Sequence, residues 1–256
     1  SDFVSVSSVF ETEKKLPDFP NQLWYRFPEK YLAYIEKRAD AFAPVALLVA
    51  MFLGEDLLIK GDVSSRLCYH LREYQNIFCV WYPSVFSPVT ISCEKVLSLN
   101  NTIKRGEGVA TAFSGGIDSF YTLWAHLPER EEILGANLTH GLFVHGLDLS
   151  LSDLPSYDTA FQIYESVFTE LGLELIPAYT NAYDFSALRI DWTIFHAAPL
   201  IGTALALGSL FQRFYVPSSM VDFHSLNPYG SSPLTDHLLS TERTEIINHE
   251  SGTSRS

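Results

Sequence analysis

After Lys104 the chain contains no lysine, and after Cys93 no cysteine. Each absence removes a class of function. Residues 106 to 256 carry 18 acidic side chains against five arginines (Arg130, Arg189, Arg213, Arg243 and Arg255). That imbalance accounts for the whole net charge of −13, because the first 105 residues are neutral. A half-chain this acidic is a poor match for a nucleic-acid groove, where lysine and arginine neutralise phosphates. Cys68, Cys79 and Cys93 lack the number and spacing of a disulfide framework or zinc knuckle, so they read as buried thiols of a cytoplasmic protein. Long apolar runs are also missing. The most apolar stretch, 41 to 53, contains Pro44 and falls short of a bilayer span. Residues 1 to 10 lack the basic start and apolar centre of a signal peptide. No membrane partner is expected. What is present is 256 residues with 47% hydrophobic and 14% aromatic content, a globular composition for one large or two modest domains.

The strongest local signal is VATAFSGGIDSFYTLWAHL, residues 109 to 127. Val109 to Phe113 reads as a buried strand, Ser114, Gly115 and Gly116 as a tight loop. After Ser119, Tyr121, Leu123, Trp124 and Leu127 recur at helical intervals. Strand, Ser/Gly turn and helix start together make an anion cradle. The N–H groups of a helix's first turn have no intrahelical partner, and the helix dipole adds partial positive charge there. Glycine permits the positive φ of an N–H nest and lets a phosphate approach the backbone. No Gly-Lys-Ser/Thr follows, which excludes a Walker A loop, and the third glycine of a dinucleotide fingerprint is missing. A plain strand-to-helix turn capped by Ser119 is the bland alternative.

Around this motif the pattern suggests a small α/β unit over 1–104 and a second unit over 105–256, with the polar stretch 100–108 as boundary. In the first unit, Leu23 to Phe27 reads as a strand. Tyr31 to Phe52 reads as one helix or two, broken or kinked at Pro44. Asp56 to Lys60 reads as a strand, Gly61 to Ser64 as a helix entry and Val63 to Tyr74 as a helix; Asn76 to Trp81 and Val89 to Val96 read as strands. The second unit alternates strands (Gly141–Leu147, Glu174–Tyr179, Phe214–Pro217) with helices (Tyr157–Leu171, Ile194–Leu210). That alternation predicts a doubly wound, mostly parallel sheet with ligands at the carboxyl ends of its strands. The strand ends carry Ser114 to Ser119, then His145, Gly146 and Asp148, then Thr180 and Asn181, then Ser218 and Ser219.

Ser-Gly-Gly-Ile-Asp-Ser after a hydrophobic strand resembles the signature of the PP-loop ATP pyrophosphatase superfamily, with every fixed position present. The N-terminal α/β section and the late Tyr229-Gly-Ser block resemble, more loosely, the branch related to 7-cyano-7-deazaguanine synthase. The resemblance implies a Rossmann-like, adenine nucleotide alpha-hydrolase-like fold and an adylating chemistry of defined order: ATP is cleaved between its α and β phosphates, a carboxylate or amide oxygen is adenylated, and ammonia or an amine displaces AMP. It implies ATP and Mg²⁺ as cofactors, Ser114, Asp118 and Ser119 as catalytic, and Ser114, Gly115, Gly116, Ile117, Asp118 and Ser119 as the phosphate loop. Val144, His145 and Gly146 would flank adenine and ribose, with His145 equally readable as a packed core histidine. Asn181 and Ser218 join them as strand-end candidates. Members of that branch continue into a Cys-rich zinc-binding segment. With no cysteine after Cys93, zinc is expected only if such a segment follows residue 256, and the second domain is expected to be shortened at its C-terminus. A sulfur-transfer enzyme of the same superfamily and a non-catalytic ATP- or AMP-binding module are the alternatives. The acceptor, a small molecule or a protein, is not identified, and a homodimer is compatible with the sequence.

Residues 229 to 242, YGSSPLTDHLLSTE, are more polar than a connecting loop requires. They suggest a flap that supplies Asp236 or Glu242 as a second metal carboxylate beside Asp118, or else a solvated loop with a helix start at Ser240 or Thr241. Arg243 and Arg255 are the late cations open to a substrate or pyrophosphate. His224, His237 and His249 lack metal-ligand spacing.

Overall fold

The computed structural model describes residues 2–14, 17–97, 106–133, 135–187, 189–218 and 227–249. Two antiparallel strands open the chain, β1 (Phe3–Val9) and β2 (Gln22–Pro28), in register from Phe3 opposite Pro28 to Val9 opposite Gln22. β2 buries Leu23, Tyr25 and Phe27 at alternate positions, the period of a half-buried strand. Two 3-10 turns, Glu29–Tyr34 and Ala39–Ala41, lead into α1 (Ala43–Leu53), which is buried almost all round. Pro44 lies in its first turn, where a missing N–H costs nothing, so it opens this helix and breaks none.

β3 (Leu57–Ser64) runs straight through the stretch 61–64 that suggested a helix entry. It pairs in parallel with β4 (Ile91–Leu97) as a separate two-stranded sheet. Between them lies α2 (Ser65–Trp81), capped by the Ser64 hydroxyl oxygen, which accepts from the Leu67 N–H at 3.0 Å. The stretch Asn76–Trp81, expected as a strand, is the last part of α2. Leu67, Leu71, Tyr74 and Phe78 bury one helical face without interruption. Packing of that face against α1 outweighs the strand preference of the aromatic and β-branched residues near its end.

The second half alternates as expected: β5 (Gly108–Ala112), α3 (Ile117–Ala125), β6 (His140–His145), α4 (Leu154–Glu170) and β7 (Glu174–Thr180). The short helices α5 (Tyr183–Ser186) and α6 (Trp192–Phe195) follow, then α7 (Ala197–Ala206), β8 (Phe211–Pro217) and β9 (Glu245–His249). β6, α4 and β7 differ from the sequence reading by one to three residues at their ends, and three larger differences follow. The helix expected over Ile194–Leu210 divides at His196 into α6 and α7. β8 begins at Phe211, because buried Phe211 belongs to the strand's inward face. Ser240 and Thr241 start no helix: the Thr241 N–H donates to the Thr244 carbonyl at 3.0 Å, a tight turn into β9.

The main sheet runs β1-β2-β7-β6-β5-β8-β9, and its last five strands are parallel. The protein is therefore α/β with a mostly parallel, Rossmann-like central sheet. All five residues of β5 are buried. After β5 the chain builds β6 and β7 on one side and then crosses to β8 and β9 on the other, which makes the β5/β8 junction a topological switch point. The first section does not stand apart from this sheet. β2 joins β7 through Tyr25 opposite Thr180, and Tyr25 donates its hydroxyl to the Ala41 carbonyl at 3.0 Å. α7 rests on that pair so closely that a Cβ on Gly202 would lie 2.4 Å from both oxygens. One core cluster joins Leu23, Leu47 and Phe78 to Ile176, Phe195 and Phe214. The boundary expected at 104/105 lies outside the described residues.

Asp40 is buried in this shared core, and its Oδ1 accepts the Ser64 N–H at 2.7 Å. Burial pushes its carboxyl up to about 7, opposed in part by that hydrogen bond and by Arg38. The folded state thus holds the proton more tightly than the unfolded chain. Stability from this group is full below the unfolded value of 3.8, declines as pH rises towards about 7 and is flat beyond it. Asp40→Asn keeps an acceptor for Ser64 and removes the titration. We expect urea unfolding near pH 5 and pH 8 to differ less in this variant than in wild type, by on the order of 2 kcal/mol.

Candidate functional site

The carboxyl ends of β5, β6 and β8 open into a cavity of about 610 Å³, at the switch point where open parallel sheets hold ligands. One end is the turn between β5 and α3. Phe113 anchors it: its N–H donates to the Leu142 carbonyl at 2.9 Å, and its ring meets Phe120, Tyr164 and Phe168 edge-on at centroid distances of 5.0, 5.2 and 4.9 Å. The chain then turns through Ser114 and Gly115. Gly115 has φ +78°, and a Cβ on it would lie 2.0 Å from the Tyr164 hydroxyl oxygen, so glycine is required twice over. Gly116 is the N-cap of α3 and brings no side-chain acceptor, so the first intrahelical bond runs from the Phe120 N–H to the Gly116 carbonyl at 3.1 Å. α3 therefore starts at Ile117, three residues before the sequence pattern suggested, and Ser119 is not its cap. The Ser119 hydroxyl donates to the Gly116 carbonyl at 2.7 Å, an internal bond that holds the turn. Ser114 is exposed on the loop.

The opposite wall comes from the segment after β6 and from the α6–α7 junction. Exposed Asp148 accepts the indole N–H of Trp192 at 3.0 Å, which holds that ring at the cavity. His196 sits between the two helices, its ring 4.9 Å from that of Tyr229. Its Nδ1–H donates to the Trp192 carbonyl at 3.1 Å, which leaves the lone pair on Nε2. Burial holds its pKa below the ordinary value, only partly offset by the Trp192 carbonyl and Asp148, so the ring is neutral near pH 7. No lysine or arginine lines the cavity among the described residues; its carboxylates are Asp118 and Asp148.

Of the residues singled out from sequence, Ser114, Gly116, Asp118, Ser119, Val144 and Asp148 line this cavity. Gly115 shapes the turn, and Ile117 points outward, 79% exposed. The others lie elsewhere. His145 is packed in the core, stacked on Tyr157 at 4.4 Å with Nε2–H donating to the Ser150 carbonyl at 2.7 Å. Gly146 makes a positive-φ turn (φ +94°) against the Thr180 carbonyl. Asn181 ties down β2, accepting from the Trp24 N–H and donating to the Gln22 carbonyl. Ser218 extends the β8–β9 pairing by donating its N–H to the His249 carbonyl at 3.0 Å, while Ser219 lies outside the described residues.

The polar block 229–242 needs a larger correction. Asp236 does not face the cavity as a metal carboxylate. It is fully buried, Oδ2 accepting from Ser231 at 2.7 Å and Asn248 at 2.8 Å and Oδ1 from the Ser232 N–H at 3.1 Å. Burial raises its carboxyl to about 6 against the pull of those three donors. Its effect on the cavity is to fix Ser231, which does line it. Glu242 accepts from the Ser65 hydroxyl at 2.8 Å and the Arg66 N–H at 2.7 Å, at the start of α2. Arg243 pairs with Glu36 at 2.7 Å, away from the cavity, and Arg255 and His224 lie outside the described residues. Tyr229 and Ser231 are what this block contributes to the wall. Trp192 and His196 escaped the sequence reading because it placed them before and within one long helix. The Asp191 side chain, capping α6 at the Thr193 N–H, was the available signal of a break.

Among the described residues, no group of three or more His, Cys, Asp and Glu side chains comes together as a metal cage, and the three cysteines are free. No helix there is long and apolar enough to cross a membrane. No family model matches the chain, and no curated protein or solved structure matches it either.

The contact between Gly115 and Tyr164 is open to a double-mutant cycle. Gly115→Ala is expected to cost about 1–3 kcal/mol, from left-handed strain plus collision with the Tyr164 ring. In a Tyr164→Ala background only the strain persists, so the cost measured by urea unfolding should fall.

Proposed function

We propose that the chain binds ATP with its phosphates at the 114–119 turn, cleaves it to AMP and pyrophosphate by adenylating a carboxylate or amide oxygen, and lets ammonia or an amine attack the carbon bearing that oxygen and displace AMP. The observation that carries this reading is the Ser-Gly-Gly turn itself. It stands at the switch point of a parallel sheet, ends in a helix start without a side-chain cap, and forms one end of a ligand-sized cavity. Its sequence resemblance to the PP-loop ATP pyrophosphatases, and more loosely to the branch of 7-cyano-7-deazaguanine synthase, supplies the reaction type.

The cavity's own chemistry supports an anion held by backbone and not by cations. Ser114 has an exposed hydroxyl to donate to a phosphate oxygen, and the first-turn N–H groups of α3 add to it. Mg²⁺ suits the remaining donors: Asp118 and Asp148 are hard oxygen ligands on one cavity, and magnesium takes one or two carboxylates alongside phosphates and water. When bound, the ion would offset charge on the departing pyrophosphate. His196 is the base on the opposite wall. As the amine forms its C–N bond and the C–O bond to AMP breaks, Nε2 takes the amine proton. Sulfur transfer is opposed by the lining, which holds no cysteine.

The test is pyrophosphate release from ATP and Mg²⁺, supplied with a small-molecule cell extract as acceptor source, alongside calorimetric ATP binding. Ser114→Ala and Asp118→Ala are each expected to lower the rate about tenfold or more. Equal rates in wild type and both variants, or no ATP binding at all, would overturn the assignment.

A further inference from the structure

A second cavity, of about 710 Å³, lies in the N-terminal section, between β1 and its continuation on one side and β3 on the other. Its walls are lined by consecutive residues, 7 to 13 and 55 to 60. A groove that looked onto the face of a strand would be lined by every second residue. Over the strand parts of that lining, 7–9 of β1 and 57–60 of β3, consecutive residues mean that it looks onto the strand edges, where N–H and C=O groups project. β1 is the outermost strand of the seven-stranded sheet, and β3 has β4 as its partner in a sheet of two. The described residues give neither edge a further strand. The floor is one face of α1, where Phe42, Ala46, Val49 and Leu53 recur at the helical period.

We infer that this groove receives an extended, basic segment of a partner protein, which adds as a strand between β1 and β3 and joins the two sheets. Each flanking edge would lie about 4.8 Å from the inserted backbone, the ordinary strand spacing. Alternate side chains of the segment would then face the α1 floor, whose alanines leave room for small or β-branched apolar residues. The others face the rim. That rim is acidic: Glu11 and Glu13 are exposed there against Lys60, while Glu55 and Asp56 already accept backbone N–H groups, Asp56 from Thr90 at 2.8 Å. The contacts that cross the groove are of a kind that yields or guides. Lys60 reaches Glu11 at 3.6 Å through two largely exposed side chains, a pair of little net strength. At one end, which is closed, the Glu55 carboxylate accepts the N–H groups of Glu13 and Lys14 at 2.9 and 2.8 Å, in the manner of the carbonyls of a neighbouring strand, and the Lys14 ammonium donates to the Leu53 carbonyl. Basic residues on the incoming segment match this rim, and the main-chain ladder supplies the rest of the affinity.

The probe is a fluorescein-labelled peptide of about nine residues, valine alternating with lysine or arginine, titrated against the full chain by fluorescence anisotropy. Saturable micromolar binding is expected, with new amide-exchange protection at the edge-facing amides of 7–9 and 58–60. The charge-reversing pair Glu11→Lys and Glu13→Lys, both at exposed positions, should weaken it about tenfold. Ala46→Arg should block the floor, and the charge pair decides the matter if that variant fails to fold. The same peptide N-methylated at alternate amides keeps its charge and loses its ladder, so it should not bind. Undiminished binding of the methylated peptide, no binding of the parent peptide, or protection of the same amides by self-association of the chain would each overturn the proposal. None of these results depends on ATP chemistry at the other cavity.

Discussion

The candidate site depends on one point of backbone geometry, the left-handed turn at Gly115 pressed against Tyr164. Phe113 fixes where the turn begins, held in the sheet by Leu142 and boxed by three aromatic rings. Gly115 fixes where it goes, and Gly116 begins the helix without a capping side chain. The result aims the first turn of α3 into the cavity. This matters more here than in a site with cationic walls. Among the described residues no lysine or arginine reaches the cavity, so the anion binding proposed for it would rest on oriented N–H groups. Oriented dipoles act only where they point, so a small rotation of the turn would forfeit what a flexible lysine would recover.

The acidity of the second half looks at first like a poor background for binding phosphates. Much of it is committed elsewhere. Asp236 gathers Ser231, Ser232 and Asn248 into one buried knot, Glu242 meets the start of α2, and Glu245 pairs with Arg213 at 3.0 Å. Glu174 is shared by Lys30 and Tyr31, and these two donors with nearby His140 hold its carboxyl below the ordinary range despite the opposing effect of burial. Carboxylates used in this way contribute little free negative field at the cavity, because each is matched by donors at contact distance. Asp118 and Asp148, the latter accepting the Trp192 indole N–H, are the acids of the cavity lining.

What the sequence made legible follows from how local each feature is. The β5–turn–α3 unit spans fewer than twenty residues, and strand composition, turn glycines and helical period all agree within it, so its form was readable apart from the residue at which the helix starts. The parallel alternation was readable for the same reason. The stretch 76–81 misled because Ile77, Phe78, Val80 and Trp81 favour strands when judged alone, while the helical face begun at Leu67 is completed only by packing on α1. Asp236 misled in another way. A polar, acid-containing loop has the composition of a site, and only tertiary structure reveals that its oxygens are already taken. Trp192 and His196 carry no motif at all. They meet the loop across the cavity because β7 and β8 lie on opposite sides of the strand pair β6–β5, a fact of topology that no window of sequence contains.

The N-terminal section explains why α1 is apolar nearly all round when a surface helix would carry a polar face. It packs on α2, on α7 and against β3, and its one remaining side is the floor of the second groove. α7 begins directly after His196, and its Gly202 lies flush against Tyr25 and Ala41. The two cavities are therefore built on adjoining helices of a single close-packed core. Close packing transmits position: each wall is held by elements that cannot shift independently. It does not by itself transmit a signal, because coupling between ligands requires an element with two arrangements for both to bias. Tight contacts such as Gly202 on Tyr25 instead favour one arrangement. A segment bound in the groove as proposed would accordingly be placed relative to the 114–119 turn and leave the turn's geometry as it is, which is the behaviour of a docking platform and not of an allosteric switch.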